Sequence, residues 1–191
     1  MQLILASQSP RRRDLLQLLQ VTFTVRPADI DEAMDPTKPP EQEVARVSKL
    51  KAEVTSREPG DVVIAADTIV VLEDRVLGKP ADKAEAISML RALSGRDHQV
   101  MTGITVLRGS NAITHTEITD VHFRPLSEEE ILRYVETGEP MDKAGAYGIQ
   151  GFAALFVEGI RGDYYNVMGL PVCRLEQMLR EIAPDYMEEF Q

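Results

Sequence analysis

The sequence has a single cysteine, Cys173, and no tryptophan in 191 residues. One thiol excludes an internal disulfide and a cysteine-based zinc site, and it suits a reducing cytoplasm. With Pro171, Val172 and Leu175 beside it, Cys173 is expected to be a small core residue and not a nucleophile. Basic charge is also scarce: 21 lysines and arginines stand against 31 acidic residues, a formal net charge of -10. That balance argues against a general polyanion binder, so no nucleic-acid partner is expected. No stretch approaches the roughly 18 apolar residues of a membrane span, and no basic region followed by a long apolar run opens the chain. A soluble, unexported protein without a membrane partner is expected. The glycine patterns of P-loop and dinucleotide-binding enzymes are missing as well. His98, His115 and His122 share no ligand-like spacing, and Ser7 and Ser9 have no obvious histidine base nearby, which speaks against a serine nucleophile.

What is present is an alternation of strand-like and helix-like segments, with no internal repeat. The pattern predicts α/β or α+β architecture, in one two-lobed domain over residues 1–191. Residues 3–6 read as a buried strand, followed by a helix capped by Ser9, with Pro10 at its first position and Leu15, Leu16, Leu18 and Leu19 on its apolar face. Residues 22–26 read as a strand, and residues 29–42 as an acidic, proline-bearing loop. A helix from Pro40 or Glu41 carries Val44, Val47, Leu50 and Lys51. Residues 61–72, DVVIAADTIVVL, give the strongest strand signal and predict a central position in the sheet. A helix over residues 83–93 ends at Ser94 and Gly95. Residues 99–108 and 112–123 form a hairpin around Gly109, Ser110 and Asn111. Ser127 and Glu130 form a capping box for a helix over residues 128–136. Three glycines within residues 142–151 point to close backbone approach instead of regular structure. A strand over residues 154–158, a loop over 163–171 and a helix over 172–182 complete the reading.

Chemistry concentrates in two places. In LILASQSPRRRDLL a buried strand runs into Ser7, Ser9, Pro10 and three arginines at the start of a helix. Free N–H groups, the positive end of the helix and guanidinium forks together make an anion site. In AADTIVV, Asp67 sits inside the most hydrophobic run of the chain. An unpaired buried carboxylate is costly, so Asp67 is either held by backbone N–H groups at a strand end or serves as a metal ligand or general base. Lys79 follows one short loop later. Asp29, Asp31, Glu32 and Asp35 form an acidic loop, and Glu32 with Asp67 would suit Mg²⁺, which takes one or two carboxylates and completes its shell with substrate phosphates.

ASQSPRR at residues 6–12, AADT at 65–68, LGKP at 77–80, LSGR at 93–96, DKAGAYGIQG at 142–151 and GDYYNVMGLP at 162–171 together resemble the Maf family of nucleoside triphosphate pyrophosphatases. The AGAYGIQG form resembles its dTTP- and UTP-hydrolysing branch. The resemblance implies a two-lobed α/β fold with a long central mixed sheet and a cleft between the lobes, similar to that of inosine triphosphate pyrophosphatases. It implies Asp67 as the catalytic proton acceptor, Arg11, Thr68 and Gln150 as specificity positions, and Ser7, Arg12, Lys51 and Lys79 in the triphosphate pocket. Glu32 falls at the expected acidic metal position, with Asp31 a close competitor, and Asp67 as base, metal ligand or both stays open. A divalent cation, Mg²⁺ or Mn²⁺, a nucleoside triphosphate substrate and a homodimer follow from the same resemblance. So does an alternative role as a non-catalytic, nucleotide-binding regulator of septum formation with a cell-division partner. The Gln150 amide, with one acceptor and two donors, can pair with N3–H and O4 of uracil or thymine.

Overall fold

The computed structural model describes residues 1–185. Its strands form one seven-stranded mixed sheet in the order β2 (Phe23–Val25), β1 (Leu3–Leu5), β3 (Val62–Leu72), β5 (Asp97–Arg108), β6 (Asn111–Phe123), β7 (Val157–Arg161), with β4 (Arg75–Leu77) paired to β3. β1 (Leu3–Leu5) leads into α1 (Pro10–Gln17), and β2 (Phe23–Val25) is followed by the acidic loop and α2 (Pro40–Val54). β3 (Val62–Leu72) and β4 (Arg75–Leu77) precede α3 (Lys83–Leu93), and β5 (Asp97–Arg108) and β6 (Asn111–Phe123) precede α4 (Glu128–Glu136). After three 3₁₀ turns come β7 (Val157–Arg161), α5 (Tyr164–Met168) and α6 (Val172–Ile182). β1 pairs in parallel with β2 and β3, whereas β3–β4 and β6–β7 are antiparallel. β3 lies inside the sheet between β1 and β5, as its valine-, isoleucine- and alanine-rich run, interrupted only by Asp67 and Thr68, suits a strand covered on both faces.

The chain divides into two compact units. The first holds Met1–Asp67, Thr102–Glu117 and the segment from Gly169 onward; the second holds Thr68–Met101 and Ile118–Met168. In the first, Ile4, Ala6, Ala52, Val63, Ala65 and Leu107 form a buried cluster. α2 lies close against β5 because Gly103 has no side chain: a Cβ there would stand 2.4 Å from the Val44 carbonyl oxygen. Ser48 Oγ then reaches Thr105 Oγ1 at 2.9 Å, and Thr116 Oγ1 donates to the Glu41 carbonyl at 3.0 Å. These contacts fix the height of α2, and therefore of Lys51, on the sheet.

The second unit is centred on Leu90, Leu93, Phe123, Ile131 and Tyr134. Phe156 packs edge-to-face against Phe123 and Tyr134, with ring centroids 6.1 and 5.2 Å apart. Ser127 caps α4 and Glu130 returns the bond, the expected capping box. The glycine-rich segment does bring backbone close: Gly145 has φ +67°, and a Cβ on it would meet Val70 at 2.8 Å.

Five local readings are corrected. α1 ends at Gln17 and the chain leaves through Gln20 at φ +56°, so Leu15 and Leu16 are buried while Leu18 is 56% exposed. β4 forms a hairpin with β3 through Glu73 and Asp74, both at positive φ, a turn without the glycine that usually announces it. Residues 152–155 are a 3₁₀ turn and the strand begins only at Val157; Ala153 and Phe156, buried three residues apart, suit a helical turn better than strand alternation. Inside the expected loop lies α5, whose entry is fixed by the Tyr165 N–H donating to Asp163 Oδ1 at 2.7 Å. Cys173 is exposed. α6 buries Leu175, Met178 and Leu179, and a residue two before Leu175 sits about 200° around the helix, on the outer face.

Candidate active site

The first turn of α1 is built as the sequence predicts. Ser9 accepts the Arg12 N–H at its Oγ (3.4 Å), and Pro10 takes the first helical position. Ser7 Oγ accepts the Ser9 N–H at 3.2 Å and Arg12 Nη1 at 3.3 Å, while Arg12 Nε donates to the Gly169 carbonyl at 2.8 Å. The Arg12 guanidinium is thus held from two sides. Desolvation by burial pushes its pKa below the ordinary value, the negative charge of Asp67 opposes that shift, Arg11 adds to it, and Glu32 opposes it. No acidic residue stands in this turn. Three consecutive arginines at the positive end of a helix repel one another and the helix dipole, a local cost that a bound anion would relieve.

The second cluster lies at the end of the first unit's part of β3. Asp67 is 8% exposed and Lys51, on α2, 7%. Lys51 Nζ lies 2.7 Å from Asp67 Oδ1 and 2.7 Å from Glu32 Oε1. The partner that meets the Asp67 carboxylate among the described residues is thus an ammonium.

Glu32 arrives there because its loop is tied to α2. Glu43 accepts the Asp35 N–H at 2.8 Å, and Arg46, itself paired with Glu43, donates to the Ala33 carbonyl at 2.8 Å. Bonding to Arg46 first, and to the Asp35 N–H second, draws the Glu43 pKa down. Asp31 instead accepts the Ala33 N–H at 2.9 Å, turning the loop. Of the two competing acids, Glu32 is the one that meets Lys51. Nothing in the sequence pattern marks Glu43 and Arg46 as its anchors.

The structure therefore brings Ser7, Arg11 and Arg12 together on one turn and Glu32, Lys51 and Asp67 together on another, with Arg12 feeling the charges of Asp67 and Glu32. Thr68, Lys79 and Gln150 belong to the second unit. Thr68 follows Asp67 along β3, so its side chain leaves the opposite face of the sheet. Lys79 is exposed in the loop before α3, and Gln150 is exposed in the turn before Phe152. The segment carrying Gln150 is tied to two residues that no sequence motif marks. Tyr134 Oη donates to Glu139 Oε1 at 2.9 Å, and Glu139 Oε2 accepts the Phe152 N–H at 3.1 Å.

Among the described residues no group of three or more His, Cys, Asp or Glu could hold a metal ion. The available donor set is Glu32 and Asp67, two carboxylates already converging on one cation, the Lys51 ammonium. Two hard oxygen donors are the chemistry that a divalent cation such as Mg²⁺ or Mn²⁺ takes. Among the described residues no helix is long and apolar enough to cross a membrane.

A family model described as Maf-like protein matches residues 2–182. A dTTP/UTP pyrophosphatase from Symbiobacterium thermophilum is 54% identical over 183 residues, covering 95% of this chain and 94% of that protein. One from Geobacillus sp. is 50% identical over 183 residues, covering 95% and 98%. A solved HAM1 protein from Coxiella burnetii has a TM-score of 0.49 at 16% identity, covering 95% of this chain and 99% of that one. With nearly every residue of the chain inside the family match and half of them shared with curated relatives, the chain belongs to the Maf family.

Proposed function

We propose that the chain hydrolyses nucleoside triphosphates, dTTP and UTP before others, to the nucleoside monophosphate and pyrophosphate. The observation that carries the reading is the convergence of Asp67 and Glu32 on Lys51 beside an arginine-rich helix start. The names of the relatives support the substrate class. A site that only bound nucleotide would gain little from two carboxylates near phosphates; a hydrolytic site needs one to take a proton.

In the proposed reaction a water attacks the α-phosphorus. Its oxygen bonds to phosphorus as the bond to the bridging oxygen breaks, pyrophosphate leaves, and Asp67 accepts the proton the water loses. Lys51 fixes the Asp67 carboxylate through Oδ1. Ser7, Arg11, Arg12, Lys51 and Lys79 serve the triphosphate. One cation at 4 Å contributes about 1 kcal/mol in water and about 4 at an effective dielectric near 20, so several must act together. Glu32 and Asp67 would hold a divalent cation, which supplies neutralisation of the charge that develops on the phosphates. Thr68 and Gln150 serve base selection, Gln150 by pairing with N3–H and O4 of uracil or thymine. A cytoplasmic setting belongs to the same proposal, since an exposed lone thiol suits a reducing compartment.

The test is product analysis after incubation with UTP and Mg²⁺, run on the parent and on Asp67→Asn. UMP and pyrophosphate from the parent, and neither from a folded Asp67→Asn, are expected. UDP with orthophosphate, or near-normal turnover by the variant, would overturn the proposal.

A further inference from the structure

Gln150 is exposed, on a turn, and glutamine side chains are mobile; a residue asked to read a base from such a place needs a rigid frame. The frame is visible within the second unit. Residues 148–151 close a turn through the Gly151 N–H donating to the Gly148 carbonyl at 3.0 Å, which puts Gln150 at its third position. The backbone on both sides of Gln150 is then tied to one pair of side chains. Before it, the Gly148 N–H donates to Tyr134 Oη at 3.3 Å; after it, the Phe152 N–H donates to Glu139 Oε2 at 3.1 Å. Tyr134 Oη closes the circuit by donating to Glu139 Oε1 at 2.9 Å.

The parts of this circuit have few substitutes. A carboxylate only accepts, so Glu139 can take a hydroxyl and a backbone N–H at once, while the phenol is the group that accepts from Gly148 and donates to Glu139. The Tyr134 ring is 3% exposed, packed on Phe156, and anchored in α4. Burial, followed by the Glu139 bond, raises the phenol pKa, which keeps its proton available for that bond. Gly151 fits against the carboxylate only without a side chain: a Cβ would stand 2.1 Å from Glu139 Oε1.

We propose that Tyr134 and Glu139 are positioning residues for substrate selection, acting through the turn that carries Gln150. The inference rests on the reading of Gln150 as the base-contacting residue. Neither residue touches the reacting phosphate in this account. Loosening the turn should therefore weaken selection of the base and spare the chemical step, because misplacing a contact by a fraction of an ångström costs the interactions that depend on it.

The experiment compares Tyr134→Phe, which keeps the packed ring, with Glu139→Ala, Gln150→Ala and the double variant Tyr134→Phe/Gln150→Ala. Steady-state kinetics with UTP and ATP and amide hydrogen exchange at Gly148 and Phe152 are read on each. For Tyr134→Phe the expected result is a KM for UTP raised about tenfold, kcat within about twofold of the parent, a narrower preference for UTP over ATP, and faster exchange at both amides. Glu139→Ala should match it. Glu139→Gln, which keeps an acceptor for the Phe152 N–H, should recover part of the loss. In the Gln150→Ala background Tyr134→Phe should add less than about twofold, as expected for residues acting through one another. If Gln150→Ala changes selection but Tyr134→Phe changes neither selection nor exchange, the positioning role is overturned and the base reading stands. If Gln150→Ala itself changes nothing, the base reading falls, and this role with it.

Discussion

Replacing Lys51 by methionine keeps the unbranched apolar stem out to Cε and removes the ammonium, with its charge and its hydrogen bond to Asp67. In the parent, Nζ lies 2.7 Å from a carboxylate oxygen of both Asp67 and Glu32. The side chains of Lys51 and Asp67 are 8% and 11% exposed, whereas that of Glu32 is 52% exposed. Removing one partner of a buried pair costs roughly 3–5 kcal/mol, chiefly because the other charge is left without compensation. Glu32 can turn to water, so only Asp67 is stranded, and the low end, about 3 kcal/mol, applies. For a chain of this length each kcal/mol moves Tm by about 2–4 °C, which puts Lys51→Met about 6–12 °C below the parent. Urea denaturation should give the same loss with an unchanged slope. The double variant Lys51→Met/Asp67→Asn removes the stranded charge and should recover most of the difference. A Lys51→Met protein within about 2 °C of the parent, or a double variant no better than the single, would show that Asp67 does not depend on Lys51 for its charge compensation.

Gly103→Ala should destabilise by about 3 kcal/mol or more, since its methyl would fall 2.4 Å from a backbone oxygen of α2, and neither element can give way cheaply; chemical denaturation checks this, and a loss under about 1 kcal/mol would contradict it. His98 is buried, with Nε2 2.8 Å from Tyr147 Oη, and its pKa is lowered to about 4, mainly by desolvation. Between about 4 and the ordinary 6.5 the unfolded chain binds the proton and the folded one does not, so stability is full above pH 6.5 and falls as pH drops toward 4, by about 3 kcal/mol in all. Unfolding measured from pH 7.5 to 4 should show that slope, and His98→Phe should flatten it; an equal slope in both proteins would dismiss the assignment.

Features with a local cause were legible in the sequence. Ser9 and Pro10 fix a helix start by their own backbone chemistry, Ser127 with Glu130 does so three residues apart, and the apolar run of β3 demands a strand covered on both sides. Asp67 stood out because a carboxylate in such a run needs a partner, but its partner, Lys51, comes from another element 16 residues away. That Glu32 reaches Lys51 depends on Glu43 and Arg46 tethering the loop, a tertiary arrangement with no local pattern. The exposure of Cys173 was misjudged because apolar neighbours in sequence are not neighbours on a helix. The hairpin at Glu73 and Asp74 was missed because both residues adopt positive φ without glycine. Tyr134 and Glu139 gave no signal: their meaning lies in backbone N–H groups they hold 14 and 13 residues along the chain, respectively.

In the proposed reaction water is added to the α-phosphorus at the Asp67 site. Hydrolysis of UTP carried out in oxygen-18 water, with mass analysis of both products, tests it most directly. The expected result is the label in UMP and unlabelled pyrophosphate, with no labelled product from Asp67→Asn. Label in pyrophosphate or in released orthophosphate would place the attack on another phosphorus and contradict it.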